Sequence, residues 1–105
     1  MRDKTVDMGD YEILADRRMP ECSIRILRLS PGRTVNLHIH HRTTQVYFVI
    51  EGDATATVAG RNKKLSPMES LRVPTNTPHS IGTESSAIVL SISIPPVCPD
   101  DQIIV

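Results

Sequence analysis

The feature that most limits what this chain can fold into is its punctuation. Turn-forming groups recur at SPG from Ser30, EGD from Glu51, AGRN from Ala59, SPM from Ser66 and PTNTP from Pro74. Their spacing of roughly 8 to 12 residues is the rhythm of a β-sandwich or barrel. The segments between them alternate or are β-branched: Cys22 to Leu29 (CSIRILRL), Val35 to His40, Gln45 to Glu51, Ala54 to Val58, Lys63 to Leu65, Ser70 to Val73 and Ala87 to Ile94. Side chains at i and i+2 share one face of a strand, so each segment can turn an apolar face to a core. No stretch carries the apolar stripe of an amphipathic helix. The expectation is an all-β chain, and 105 residues leave room for one core only. We therefore read a single domain over 1–105, with the barrel over 22–105. Residues 1–21 form an N-terminal segment in which Tyr11 to Leu14 suit an edge strand and Met1 to Gly9 a loose arm.

Twelve basic and twelve acidic residues give zero formal charge, without a sustained run of either sign. That speaks against nucleic acid and anionic membrane surfaces as partners. The charged start, MRDKTVDMGDYEILADRR, and the lack of any window near the roughly 18 apolar residues of a membrane span lead us to expect a cytoplasmic protein whose partner is a small molecule. Cys22 and Cys98 stand far apart without metal or redox spacing, and are read as reduced thiols.

The stretch NLHIHHRTTQ, Asn36 to Gln45, holds three of the four histidines. On a strand His38 and His40 point the same way, about 7 Å apart, which suits two imidazoles meeting at one cation. His41 then falls on the other face or in the following loop. In the next segment Gln45, Tyr47 and Val49 share a face, so Gln45 can present its amide oxygen to the same point. A further ligand can come from PTNTPH, where prolines on either side of a turn fix the backbone just before His79. A lone strand histidine is ordinarily a hydrogen-bonded core or surface residue, so the metal reading rests on the combination.

These segments resemble the two motif regions of the cupins, small jelly-roll (double-stranded β-helix) barrels. From Gly32 five residues lead to His38-Ile39-His40, four more intervene before Gln45 at the family's glutamate position, and six more precede Gly52. In the second region Pro74 is kept and His79 stands at the third histidine, while Met68 and Asn76 replace glycines and Thr83 an asparagine. The resemblance implies a cupin barrel holding a divalent transition metal on His38, His40, Gln45 and His79. The ligand set is similar to that of uronate-linearising cupins, and SISIPPV resembles their last strand. That strand's aspartate and the arginine six residues on are replaced here by Ser91 and Val97. Residues 45–79 are also similar to the cupin domain of mannose-6-phosphate isomerases.

Gln45 is the chemically informative departure, because an amide leaves the ion its full double charge where a carboxylate would cancel half. Imidazole and amide suit Ni, Zn, Fe, Mn and Cu alike, so the metal stays open. Beside it, Tyr47 is the candidate proton donor or substrate hydrogen-bond partner, against the plainer reading of a barrel tyrosine as packing. Arg72 is the candidate anion-binding residue if it faces the barrel, and merely solvated if it faces out. Three readings follow: a metal-dependent isomerase or lyase-like enzyme on a small oxygenated metabolite such as a sugar or sugar acid; a non-catalytic module binding a small ligand; and an iron-dependent dioxygenase. If His38, His40 and Gln45 look inward, then Leu37, Ile39, Val46, Phe48 and Ile50 look outward with part of Ala87 to Ile94. That apolar face calls for cover by the N-terminal segment, the tail Gln102 to Val105 or a second subunit, and a homodimer is the expected solution.

Overall fold

The computed structural model of the protein describes residues 6–105. Among the described residues twelve strands form: β1 (Val6–Asp7), β2 (Tyr11–Arg18), β3 (Ser23–Leu29), β4 (Arg33–Thr34), β5 (His38–Ile39), β6 (Thr44–Gly52), β7 (Ala54–Val58), β8 (Arg61–Leu65), β9 (Ser70–Val73), β10 (His79–Thr83), β11 (Ala87–Ile94) and β12 (Ile103–Ile104). One sheet runs β1-β2-β3-β11-β6-β9. The other runs β12-β5-β10-β7-β8, with β4 also on β10. The named strands pair antiparallel throughout, and the two sheets close on each other as a jelly roll. The all-β expectation holds. Among the described residues no helix is long and apolar enough to cross a membrane.

The core follows from strand parity. Leu27 and Leu29 of β3, Val49 of β6, Val73 of β9 and Ala87 and Val89 of β11 meet Ala54, Ala56, Leu65 and Ile81 of the facing sheet. Their outward neighbours on β3, β6 and β11, Ile24, Ile26, Val46, Phe48, Leu90 and Ile92, are only half-buried.

The N-terminal segment is more ordered than its sequence suggests. β2 is eight residues long and pairs with β3 from Tyr11 to Arg18 with Leu14 left out, where an edge strand over Tyr11 to Leu14 was expected. The alternation is hidden because the register shifts between Ile13 and Ala15. Such a bulge moves every later side chain to the other face. Asp16 and Arg18 consequently lie opposite Arg25 and Ser23. The loose arm expected over Met1 to Gly9 falls partly outside the described residues. The tail, for its part, adds β12 to the free edge of β5, pairing Ile103 with Ile39 and Ile104 with His38.

Four backbone positions take the left-handed conformation at the places where the motif has or expects glycine: Gly32 (φ 72°), Gly52 (77°), Met68 (74°) and Asn76 (57°). At Gly52 a Cβ would also run into the Ser86 carbonyl oxygen, so this glycine serves both backbone conformation and packing.

A candidate metal centre and its cleft

His38 and His40 project from one edge of the second sheet and His79 from the start of β10, where it pairs directly with His38. All three are buried, at 3%, 2% and 1% exposure. One nitrogen of each ring lies within 4.8 Å of the others'. Ring centroids are 4.9 Å apart for His38 and His40, 4.2 Å for His38 and His79, and 5.3 Å for His40 and His79. His41 is exposed, its Nδ1 2.6 Å from Asn76 Oδ1, and lies outside the cluster.

Backbone carbonyls aim the rings. His38 Nδ1 lies 2.6 Å from Asn36 O, His79 Nδ1 2.8 Å from Thr77 O and His40 Nδ1 3.0 Å from Asp101 O. A carbonyl only accepts, so each Nδ1 carries the hydrogen and each Nε2 keeps a lone pair. The loops that supply these carbonyls are tied to one another. Asn76 N donates to His40 O at 2.7 Å, docking the turn before His79 on the histidine strand. Asp101 sits at the end of a 3₁₀ turn (Pro99–Asp101), and its carboxylate accepts from the N–H groups of His41 at 2.9 Å and Arg42 at 3.1 Å.

Gln45 completes the constellation from β6. Its Oε1 is 2.8 Å from His79 Nε2, and its amide nitrogen donates to Ser93 Oγ at 3.2 Å. With Nδ1 of His79 protonated, Oε1 and Nε2 face each other lone pair to lone pair. A proton between them is disfavoured, because burial pushes the His79 pKa down to about 4, aided by His38 and His40 and opposed by the bond to Thr77. A cation between them removes the conflict. Without one, the amide can turn over, donating to His79 and accepting from Ser93. His40 Nε2 is buried without any hydrogen-bond partner, an orphan that a metal ion would satisfy. Burial also lowers the His38 pKa, against its bond to Asn36 and with help from His40. His38 and His79 are thus neutral at pH 7, as ligation requires. Nitrogen and amide donors so arranged fit a divalent transition metal.

Tyr47, one step along β6, is buried with its hydroxyl 3.4 Å from Gln45 Oε1. Burial, and secondarily Tyr11, raise its pKa, so the phenol is a proton donor at neutral pH. Arg72 is the outward of the two alternatives. β9 pairs Gln45 with Val73, which turns Val73 into the barrel and leaves Arg72 exposed on the outer face. Beside the histidines opens a cleft lined by His38, Gln45, Tyr47, Ser91, Ser93 and Val97, among others. Ser91 and Val97 therefore reach the same cavity, although neither carries an acid or a charge. Two participants lay outside the expected set. Asp101 had no sequence signal, since nothing in CPDD announces a buried carboxylate. Arg25 did have one, because it shares the parity of the core residues Leu27 and Leu29.

An all-β jelly roll enclosing a three-histidine cluster next to a small cleft defines a class of compact barrels with a candidate metal centre. Residues 25–94 match the cupin-domain family, and the chain belongs to it. No curated protein matches the sequence closely enough to count as a relative. Solved structures share the fold at low identity. KdgF from Halomonas sp. aligns with TM-score 0.81 and 22% identity over 93% of this chain and 90% of its own. An RmlC-like cupin from Shewanella frigidimarina gives 0.82 and 23% over 92% and 86%. Pac13, described as a nucleoside dehydratase, gives 0.83 and 13% over 97% and 83%; a variant of the Streptomyces protein has also been solved with uridine.

Proposed function

We propose that the protein is a metal-dependent enzyme of isomerase or lyase type acting on a small oxygenated metabolite of the sugar or sugar-acid class, with His38, His40, Gln45 and His79 as the metal ligands. The observation that carries this reading is the convergence of three imidazoles, each with Nδ1 spent on a backbone carbonyl, on a point where Gln45 Oε1 also arrives. A divalent ion there supplies a Lewis acid for a substrate oxygen. The chain's own residues supply the rest. Tyr47 holds a proton at its phenol oxygen beside that point, and Ser91 and Ser93 offer hydroxyls to a polar substrate. The fold likeness to a dehydratase agrees with lyase-type chemistry without specifying a substrate.

A second reading, a binding module without turnover, draws support from the cleft's poverty in acid and base groups: among the described residues that line it no carboxylate is found, and Ser91 and Val97 carry neither acid nor base. The test begins with elemental analysis of wild type and His40→Ala. The wild type should carry stoichiometric metal and His40→Ala little. A ligand held only by the native state at about 1,000 times its Kd contributes about 4 kcal/mol to stability, so thermal stability should fall with the metal. Equal metal content in the two proteins would refute the centre. Turnover of sugar acids followed by NMR then separates the enzyme from the module.

A further inference from the structure

The inner face of the first sheet changes character along its length. Three neighbouring strands, β3, β11 and β6, contribute one residue each to every row. The row Leu27, Val89, Val49 is apolar, the next is Arg25, Ser91, Tyr47, and the one after is Ser23, Ser93, Gln45. The core thus ends abruptly at Leu27, and the two rows nearest the histidines are polar. Within them stands one formal charge, the guanidinium of Arg25, which lines the cleft together with Tyr11 and Gln102. Its side chain is 31% exposed and its Nε donates to Asp16 Oδ2 at 3.2 Å. Among the described residues the two terminal nitrogens have no partner. A half-buried guanidinium with its outer edge unpaired, in a cavity shared with His38 and Gln45, has the chemistry to bind an anion.

We propose that Arg25 anchors the carboxylate of the ligand, and that the ligand is a small hydroxy or keto acid reaching from Arg25 to the histidine cluster. This rests on the metal reading above for the second end of the ligand, and on Arg25 alone for the first. Three observations select the class. The cavity is about 40 Å³, room for a few water molecules or the polar head of a metabolite. Arg25 lies two strands from Tyr47, about 10 Å at strand spacing, so its side chain and a ligand of a few atoms fill the gap. Finally, the neighbouring Asp16 carboxylate opposes a dianion. One planar fork beside an acid suits a monoanionic carboxylate better than a phosphate, which would want further donors.

The test measures binding of 3-hydroxypropanoate, 4-hydroxybutanoate and 5-hydroxypentanoate by calorimetry to the zinc-loaded protein, against the corresponding neutral diols and inorganic phosphate. At least one acid should bind, and tighter than its diol. Arg25→Gln should weaken it by about tenfold or more, the worth of a charge-assisted hydrogen bond. Arg25→Lys should recover part of that, and zinc content should stay at the wild-type level in both variants. Equal acid affinity in wild type and Arg25→Gln at equal zinc content overturns the proposal, as does failure of every acid to bind or a preference for phosphate. Repeating the titration on His40→Ala separates the two readings. Residual Arg25-dependent acid binding without zinc upholds the anchor even if the metal assignment fails, whereas an acid affinity indifferent to Arg25 sinks the anchor alone.

Discussion

Asp101→Ala should damage the site from a distance, and its cost can be worked from the contacts. The wild-type carboxylate is 2% exposed and accepts the backbone N–H groups of His41 and Arg42, while Arg42 Nε lies 3.8 Å away. Burial tends to raise its pKa, but the Arg42 and His41 donors and the Arg42 charge outweigh it and hold the acid below its usual range. It is therefore ionised at pH 7. Truncation leaves two partly buried donors without their charged acceptor, at roughly 1 to 1.5 kcal/mol each, so about 2 to 3 kcal/mol of stability is lost. Asp101→Asn, which keeps one acceptor oxygen, should cost about half as much. Because Asp101 O also accepts His40 Nδ1, relaxation of this corner should loosen His40 and lower metal affinity by about 10- to 100-fold. Urea denaturation of the metal-free protein measures the first effect and chelator competition the second. Loss of stability with unchanged metal affinity would mean that His40 is aimed by the strand alone, and the positioning role of Asp101 would be refuted.

Metal-free protein should lose stability on acidification well above the carboxylate range. His79 titrates near 4 when folded but near 6.5 unfolded, so its contribution is full above about pH 6.5 and falls by about 2 kcal/mol between pH 6.5 and 5. His38 adds to it with the same sign, and a flat denaturation midpoint across that window would contradict the buried neutral rings. Met68→Gly should stabilise by about 0.5 to 1 kcal/mol in chemical denaturation, because Met68 holds φ 74° with its side chain largely in solvent and glycine carries no Cβ penalty there. Phe48→Asp should shift the mass in analytical ultracentrifugation from a dimer to a monomer near 11.7 kDa. A wild type that already sediments as a monomer would show that the Ile26, Val46, Phe48 and Leu90 face is not a subunit contact.

Much of the site could be read in the sequence because its three histidines and Gln45 obey two local rules. Strand parity placed His38 and His40 together and Gln45 with Tyr47, and proline-flanked turn chemistry located His79 at the beginning of a strand. The same parity left Arg72 undecided, since four alternating residues do not say which face is inside; only pairing with Gln45 through Val73 does. β2 was half-hidden because a bulge reverses parity in mid-strand, and its second half is charged. The contributions of Asp101 and β12 are long-range. Residues some 60 positions beyond the histidine strand return to its edge, and no local pattern encodes that return. The left-handed turns at Met68 and Asn76 were legible only as places where glycine was expected, which is how a spacing rule reports a backbone constraint that residue identity conceals.

The charge of the site follows from how its rings are held, and it sets the sign of the last prediction. In many metal centres a carboxylate orients a ligating histidine and cancels part of the ion's charge. Here all three rings lean on carbonyls, the cluster holds no acid among the described residues, Asp101 is turned toward His41 and Arg42, and Asp16 is engaged by Arg25. A divalent ion on such ligands keeps its full charge, which with Arg25 makes the cleft favour an anion. Gln45→Glu adds one negative charge at its centre. The variant should hold zinc at least as tightly, since a carboxylate is the better partner for a cation. It should bind the acids more weakly, by about tenfold or more. A unit charge 4 Å away is worth up to about 4 kcal/mol near a protein surface, and solvent in the open cleft screens much of it. The neutral diols should be indifferent to the change. Calorimetry of both ligand types on wild type and variant at matched zinc content decides the matter. If Gln45→Glu bound acids as well as the wild type, charge would not be what selects the ligand, and shape would have to replace it.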